Sequence, residues 1–214
     1  EAGYRALGLL QGQAEALMGD FALLRRANAV LQRGAPGPRA LAFAELTPAE
    51  RELFPPLWLV ADAAVLQRGG LAQMVAVLGS DLPIKVLLLS TSLSTAEPLT
   101  AAMLALAHRH AFVLQSSVAH RDHLASGVLA ACRHPGPALL HVLAPSPRAA
   151  NATPDLTLML AAAAVNERSF PLLRYDPLRP GAFGQKLSLD GNPEPTEAGT
   201  TDPARLANWQ TLQE

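Results

Sequence analysis

The chain has 214 residues, of which 50% are hydrophobic and 16% are charged, and its formal net charge is −1. This composition excludes an intrinsically disordered chain, and 17 basic against 18 acidic residues leave no surplus for neutralising nucleic-acid phosphates. The single cysteine, Cys132, excludes an internal disulfide framework and an iron–sulfur cluster held by this chain alone. No apolar run approaches the roughly 20 residues that span a bilayer. We expect a cytoplasmic globular domain, and because the chain opens at Glu1 without methionine, we expect a piece of a longer protein.

The first third of the chain has a helical pattern. Apolar residues recur there at the three-and-four spacing of one helix face, which fits two helices or one helix bent near Gly19. A stretch rich in proline and glycine, 33–38, then predicts a linker. Thr47, followed by Pro48 and Glu50, predicts a short helix with a capping box. The positions expected to be buried are Leu7, Leu10, Ala14, Leu17, Met18, Phe21, Leu24, Ala27 and Leu31.

From Leu57 onward, short apolar runs alternate with amphipathic stretches. This alternation predicts an α/β fold with a doubly wound, mostly parallel sheet whose crossovers are right-handed. The predicted strands are 57–60, 84–89, 112–115, 138–143 and 172–174. The predicted helices are about 67–79, 99–108, 121–132 and 154–167.

The domain organisation follows from these elements. We expect a helical segment with its linker over 1–54, an α/β domain over 55–178, and an extended tail over 179–214 with a short helix near Pro203–Trp209. Cys132, near the end of an apolar helix, is expected to be a small buried side chain.

Polar residues follow the first two predicted strands at the point where each strand ends. Open parallel sheets bind ligands at this carboxyl edge, where the loops converge. A carboxylate and a threonine from neighbouring loops supply the oxygen ligands that Mg²⁺ prefers. The alternative is that Asp62 and Thr91 only cap the helices that follow them. The candidate residues are Asp62 after the first strand and Ser90, Thr91, Ser92, Ser94 and Thr95 after the second.

The pair His120 and His123 has a spacing seen in zinc sites, but no third ligand stands at a suitable distance along the chain. A contact with a substrate or partner is the other interpretation of this loop, because it lies on the expected ligand side of the sheet.

Four segments carry a family resemblance. The first matches an apolar strand followed by Gly-Asp-Gly, and the second matches a Gly-Gly-Leu helix before a strand that ends in Asp-Thr. The third matches a Tyr-Pro-Gly-Pro strand that closes in Ala-Pro-Cys. The fourth matches Trp-Pro-Leu-Tyr-Arg-Tyr-Asn-Pro, with Leu-Asp later in the chain. The segments are Trp58–Ala63, Gly69–Thr91, His134–Pro145 and Phe170–Pro177, the last continued by Lys186–Asp190. Over about residues 55–195 the chain therefore resembles the thiamine-diphosphate domain of pyruvate:ferredoxin oxidoreductases and related 2-oxoacid oxidoreductases.

The resemblance implies a fold of the thiamine-diphosphate-binding type and a magnesium-dependent cofactor site. It assigns the metal to Asp62, Thr91 and the carbonyl of Leu93, at the family's spacing. The hydroxyl groups of Ser92, Ser94 and Thr95, in the same loop, remain candidates for contacts with the cofactor. It also implies the oxidative decarboxylation of a 2-oxoacid. The partners it implies are the remaining domains of a parent oxidoreductase, within a dimer or multidomain assembly, and a ferredoxin- or flavodoxin-type acceptor. We expect no nucleic-acid or membrane partner, and we expect an apolar face where the missing domain docks.

The sequence departs from the family pattern at the cofactor loops. Ala61 and Ala63 replace the two glycines of Gly-Asp-Gly, and Ser146 replaces the cysteine of Ala-Pro-Cys. The segment 94–98 lacks the glycines of the family's Asn-Thr-Gly-Gly and contains Glu97, whose charge opposes a diphosphate. These departures leave a second hypothesis open, in which the domain is a catalytically decayed scaffold or interaction module of a larger redox protein.

Overall fold

A computed structural model describes residues 2–31, 41–80, 82–92, 101–147 and 153–194. The helices are α1 (Ala2–Leu31), α2 (Pro48–Leu53), α3 (Leu71–Leu78), α4 (Ala101–Leu106), α5 (Arg121–Arg133), α6 (Pro154–Asn166) and α7 (Phe183–Lys186). The strands are β1 (Leu57–Asp62), β2 (Ile84–Ser90), β3 (Phe112–Ser117), β4 (Ala138–Leu143), β5 (Leu173–Tyr175) and β6 (Leu187–Ser188). Within these ranges, no helix combines the length and apolarity needed to cross a membrane.

The strands form one six-stranded sheet in the order β1-β2-β4-β3-β5-β6. The first four strands are mutually parallel, so the prediction of an α/β fold with a mostly parallel sheet is confirmed. Helices cover both faces, an arrangement compatible with a doubly wound fold. Side chains alternate along each strand, so Phe112 and Leu114 pack against α5 while Val113 lies in the core with α3 and α4.

The last two strands depart from the predicted parallel pattern. β5 pairs antiparallel with β3, and β6 pairs antiparallel with β5. The repeated strand–helix pattern located the fifth strand but did not give its direction, and the crossover rule applies only to parallel neighbours. In the segment expected to be an extended tail, α7 and β6 form instead. The predicted helix near 203–209 and the linker at 33–38 lie outside the described residues.

The N-terminal segment is one continuous helix, α1, and not the two helices that the sequence pattern also allowed. Ala14 and Met18 are buried as predicted, together with Ala22, and the predicted Leu17 and Phe21 pack against the same cluster. Leu24, Ala27 and Leu31 are exposed, so the predicted buried face is wrong from position 24 onward. Small side chains at positions 14 and 22 allow close packing, and the leucine-rich side faces solvent. The capped helix is confirmed in α2, where Thr47 and Glu50 form the predicted capping box.

Cys132 is exposed, which corrects the expectation that it is buried. The face of α5 that packs on the sheet is formed by Gly127 and Ala131, both buried. Because successive helix residues are about 100° apart around the axis, the position after Ala131 turns away from that face.

Asn192 ties the C-terminal part of the described chain to the residue just before β5. Its Oδ1 accepts from Leu172 N at 2.8 Å, and its Nδ2 donates to Leu172 O at 2.7 Å and Leu189 O at 2.6 Å. Leu172 is fully buried, so loss of these bonds leaves its backbone groups without an obvious replacement partner.

We therefore expect Asn192→Ala to lower the free energy of unfolding by roughly 2–4 kcal/mol. Urea unfolding followed by circular dichroism measures this change. The matched control is Asn166→Ala, at an exposed position at the end of α6, with an expected change within about 0.5 kcal/mol. Equal effects of the two variants would show that the Asn192 bonds contribute little.

Candidate functional site

Asp62 and Thr91 meet at the carboxyl edge of the sheet. Asp62 is the last residue of β1, and Thr91 directly follows β2, the parallel neighbour of β1. Thr91 Oγ1 donates to Asp62 Oδ2 at 3.0 Å. Asp62 is exposed and Thr91 is half-buried, so the two oxygens are open to a ligand from the solvent side. The residues that the sequence predicted to lie together are therefore in direct contact.

The same carboxylate also has a structural role. Asp62 Oδ1 accepts from Ala64 N at 2.8 Å and caps the short 3₁₀ turn Ala63–Val65. The capping alternative is thus correct for Asp62 in addition to the contact with Thr91. Capping fixes the carboxylate and aims its second oxygen at Thr91.

The loop after β2 is held in place by the loop after β4. Ala144 N donates to Ser90 O at 2.9 Å, and Ser146 N donates to Thr91 O at 3.0 Å. These two bonds extend the ladder between β2 and β4 beyond the strand ends. They fix the backbone that presents the Thr91 hydroxyl to Asp62.

His141 supports this edge from inside the sheet, a role that was not predicted from the sequence. The residue is 2% exposed, its Nε2 lies 2.7 Å from Ser90 Oγ, and its ring meets the edge of the Phe170 ring at a centroid distance of 4.9 Å. Burial lowers the pKa of His141 to about 4, so the imidazole is neutral at pH 7. The available sequence signal was a histidine inside the otherwise apolar run 138–143.

The polar contacts continue from His141 towards β3. His141 and Gln115 are cross-strand partners in the sheet, and Gln115 Nε2 donates to Pro171 O at 2.8 Å. Among the described atoms, neither His141 Nδ1 nor Gln115 Oε1 has a hydrogen-bond partner. This interior polar row runs beneath the carboxyl edge without reaching Asp62.

The start of α5 forms a separate polar group. His123 Nδ1 lies 2.9 Å from Ser116 Oγ, and burial, followed by the positive charge of Arg174, lowers the pKa of His123. In the ranges that the structure describes, no group of three histidine, cysteine, aspartate or glutamate side chains is placed to hold a metal.

Of the other predicted site residues, Ser92 is described and exposed beside Thr91. The remaining candidates, Leu93, Ser94 and Thr95, lie outside the described residues, as does Glu97. The structure brings Asp62 and Thr91 together, with Ser90 held beside them by its bond from Ala144 N. The assignment of Asp62 and Thr91 as cofactor ligands stays a prediction.

The two alanines beside Asp62 direct their side chains into the protein. Ala63 is buried in the main core and Ala61 packs against the same cluster, on the opposite side of β1 from the Asp62 carboxylate. The non-glycine residues with positive φ in the described chain are Arg109 and Arg168, so neither alanine is in a conformation that requires glycine. Alanine at these two positions therefore neither strains the backbone nor fills the space beside the Asp62–Thr91 pair.

No protein-family profile fits the chain, and no curated protein is detectably similar to it in sequence.

Proposed function

We propose that this α/β domain is the cofactor domain of a 2-oxoacid oxidoreductase of the pyruvate:ferredoxin type, in a thiamine-diphosphate-binding fold. Asp62 and Thr91 hold Mg²⁺ and, through it, the diphosphate of thiamine diphosphate. The observation that carries the proposal is the 3.0 Å separation of Asp62 Oδ2 and Thr91 Oγ1 across adjoining strand ends. Adjacent ligands of an octahedral Mg²⁺ with bonds of about 2.1 Å are about 3.0 Å apart, so the pair fits two neighbouring coordination positions.

The chain's own part in the reaction is to bind and orient the cofactor. Asp62 supplies the negative charge that holds the cation, and Thr91 supplies a neutral hydroxyl oxygen. The hydrogen bond from Ser146 N to Thr91 O fixes the backbone that presents this hydroxyl. Leu93 is proposed to add its carbonyl, as the resemblance implies. When bound, thiamine diphosphate supplies the nucleophilic carbon that attacks a 2-oxoacid carbonyl, and the electrons released on decarboxylation pass to a ferredoxin- or flavodoxin-type acceptor.

A further domain of the parent protein is proposed to cover the site. Trp58 and Val60 are 36% and 59% exposed and lie on the same side of β1 as the Asp62 side chain. An apolar strand face that ends at the candidate metal ligand suits the docking of a partner domain, as the resemblance implies.

The alternative function is a scaffold or interaction module without cofactor. The observation that favours it is that both oxygens of Asp62 already have hydrogen-bond partners, Ala64 N and Thr91 Oγ1. A cation at this site has to replace the Thr91 proton as the partner of Oδ2.

Calorimetric titration with thiamine diphosphate and Mg²⁺ distinguishes the two functions. We expect micromolar binding that requires Mg²⁺, a loss of about 100-fold in affinity in Asp62→Ala, and a loss of about tenfold in Thr91→Val. Asp122→Asn, which removes an exposed carboxylate at the same edge of the sheet, is the matched control and is expected to bind normally. No heat of binding at millimolar cofactor, or binding by Asp62→Ala as tight as that of the wild type, would contradict the cofactor function and leave the scaffold function.

A further inference from the structure

A cavity lies at the opposite edge of the sheet from Asp62. It has a volume of about 240 Å³ and is bordered by α2 and by the loops that precede β3 and β4. Arg51, His110 and His134 supply its polar groups, and Phe43 and the Pro-Gly-Pro loop supply its apolar wall. None of the described residues that line it is acidic.

His134 is the buried polar group of this cavity. Its side chain is 6% exposed, and neither ring nitrogen has a hydrogen-bond partner among the described atoms. Gly136 lies beside the ring: a Cβ at this position would stand 3.0 Å from His134 Nε2, and the three atoms nearest to it would all belong to the same ring. The absence of a side chain at Gly136 therefore keeps the space beside Nε2 open.

Two cationic side chains lie at this cavity, Arg51 in its lining and Lys85 beneath the loop. Lys85 is fully buried under the loop, and its Nζ donates to His134 O and Gly136 O, at 2.6 Å each. Within the described chain, no carboxylate lies within ion-pair distance of Lys85. The guanidinium of Arg51 lies over the Phe43 ring, 5.8 Å from its centroid. Cationic groups in a partly desolvated setting raise the local concentration of anions.

His134 presents a neutral ring to the cavity at pH 7. Burial is the main cause that lowers its pKa to about 4, and the charge of Lys85 acts in the same direction. The charge of Asp176 and a contact with the backbone of His110 oppose the shift, whereas the His110 side chain adds to it slightly. A neutral imidazole with Nε2 protonated is a hydrogen-bond donor, the group that a buried oxyanion requires.

We propose that this cavity binds a small oxyanion, the phosphate or carboxylate group of a ligand, between the Arg51 guanidinium and His134 Nε2. The guanidinium supplies the charge and the geometry suited to an oxyanion, and the imidazole supplies a buried donor. Phe43 and the two prolines give an apolar wall for the rest of the ligand. This site is separate from the Asp62–Thr91 pair and does not depend on the function proposed for it.

The test is a nuclear magnetic resonance titration of the chain with inorganic phosphate and, separately, with acetate, each at ionic strength held constant with chloride. Saturable shifts of the Gly136 amide and the His134 ring are expected with either or both anions. The anion that saturates at lower concentration identifies phosphate or carboxylate as the ligand chemistry. No saturation up to roughly 50 mM of either anion, far above a millimolar Kd, overturns the proposal.

Two variants and two matched controls locate the binding. Gly136→Ala closes the space beside Nε2, and Arg51→Ala removes the charge, so each is expected to weaken binding by at least about tenfold. Gly184→Ala, where a Cβ meets open space, and Arg121→Ala, at an exposed site on α5, are expected to bind within about twofold of the wild type. If Gly136→Ala does not fold, the affinity of Arg51→Ala alone tests the site. Binding by Arg51→Ala that is as tight as that of the wild type contradicts the proposed site.

Discussion

Replacement of His141 by leucine is expected to make the protein more resistant to acid. The imidazole is buried against Phe170, and burial lowers its pKa from 6.5 to about 4. Between these two pH values, the unfolded chain takes up a proton that the folded chain does not. The folded state therefore loses up to roughly 3 kcal/mol relative to the unfolded state as the pH falls from 6.5 to 4.

The direction of this effect is the same as for a salt-bridged carboxylate, because in both cases the pKa is lower in the folded chain than in the unfolded chain and stability is lost as the pH falls. The destabilisation is absent above pH 6.5 and complete below pH 4. At pH 7 the leucine variant loses the hydrogen bond with Ser90, a half-buried hydroxyl that water can reach, and replaces the ring contact with Phe170 by an aliphatic one. Its stability is therefore expected to lie within about 1 kcal/mol of the wild type.

Urea unfolding measured from pH 7 to pH 4 checks this expectation. The free energy of unfolding of His141→Leu is expected to fall less steeply with acid, and His134→Phe is expected to add to the protection, because the pKa of His134 is also lowered to about 4. His110→Gln, at an exposed position, is the histidine control. Parallel losses of stability in the wild type and in His141→Leu would contradict the account of a buried neutral imidazole.

Lys85→Met is expected to destabilise the fold at pH 7. The substitution preserves the shape of a fully buried side chain but removes two hydrogen bonds of 2.6 Å, to His134 O and Gly136 O. Unpaired buried carbonyls cost about 1–3 kcal/mol each, and part of this loss is offset because the variant no longer buries a charge. The net loss is expected to be roughly 1–3 kcal/mol.

The pH dependence separates the charge of Lys85 from its hydrogen bonds. Burial lowers the pKa of Lys85 from 10.5 to about 8, so between these values the unfolded chain holds a proton that the folded chain has lost. The stability of the wild type is therefore expected to gain a contribution of up to roughly 3 kcal/mol from pH 8 to pH 10.5 that Lys85→Met lacks. Identical slopes in denaturant titrations of the two proteins over this range would show that Lys85 is not desolvated.

The strands could be predicted from sequence because nearly continuous apolar runs are typical of a sheet covered on both faces. The runs at 84–89 and 138–143 became β2 and β4 within one residue at each end. Pattern alone could not give the direction of β5, a strand of three residues, or the existence of β6, a strand of two. Both depend on tertiary pairing with β3 and with each other.

The side chains that were mispredicted lie on helices with more than one apolar face. In α1, Ala14 and Met18 are buried as predicted, but further along the helix Ala22 packs, and Leu24 and Leu31 are exposed although they have the helical spacing of a core face. Hydrophobic periodicity identifies an apolar face but does not say which of two such faces meets the rest of the protein. For the same reason Cys132, one position beyond the packed face of α5, was wrongly expected to be buried.

The Asp62–Thr91 contact could be predicted because parallel topology brings the carboxyl ends of neighbouring strands together. Lys85 and His141 were missed although each stands as a polar residue inside a buried apolar run. Their hydrogen bonds reach groups more than 45 positions away in the chain, which sequence spacing alone does not reveal.

The binding of Mn²⁺ in the presence of thiamine diphosphate, followed by electron paramagnetic resonance, shows whether Asp62 and Thr91 hold a divalent cation. Mn²⁺ takes the place of Mg²⁺ at oxygen ligands, and its free form gives a signal that decreases on binding. We expect one Mn²⁺ bound per chain in the wild type and in Asp122→Asn, and a free Mn²⁺ signal restored in Asp62→Ala. A free Mn²⁺ signal of the same size in the wild type and in Asp62→Ala would contradict this expectation.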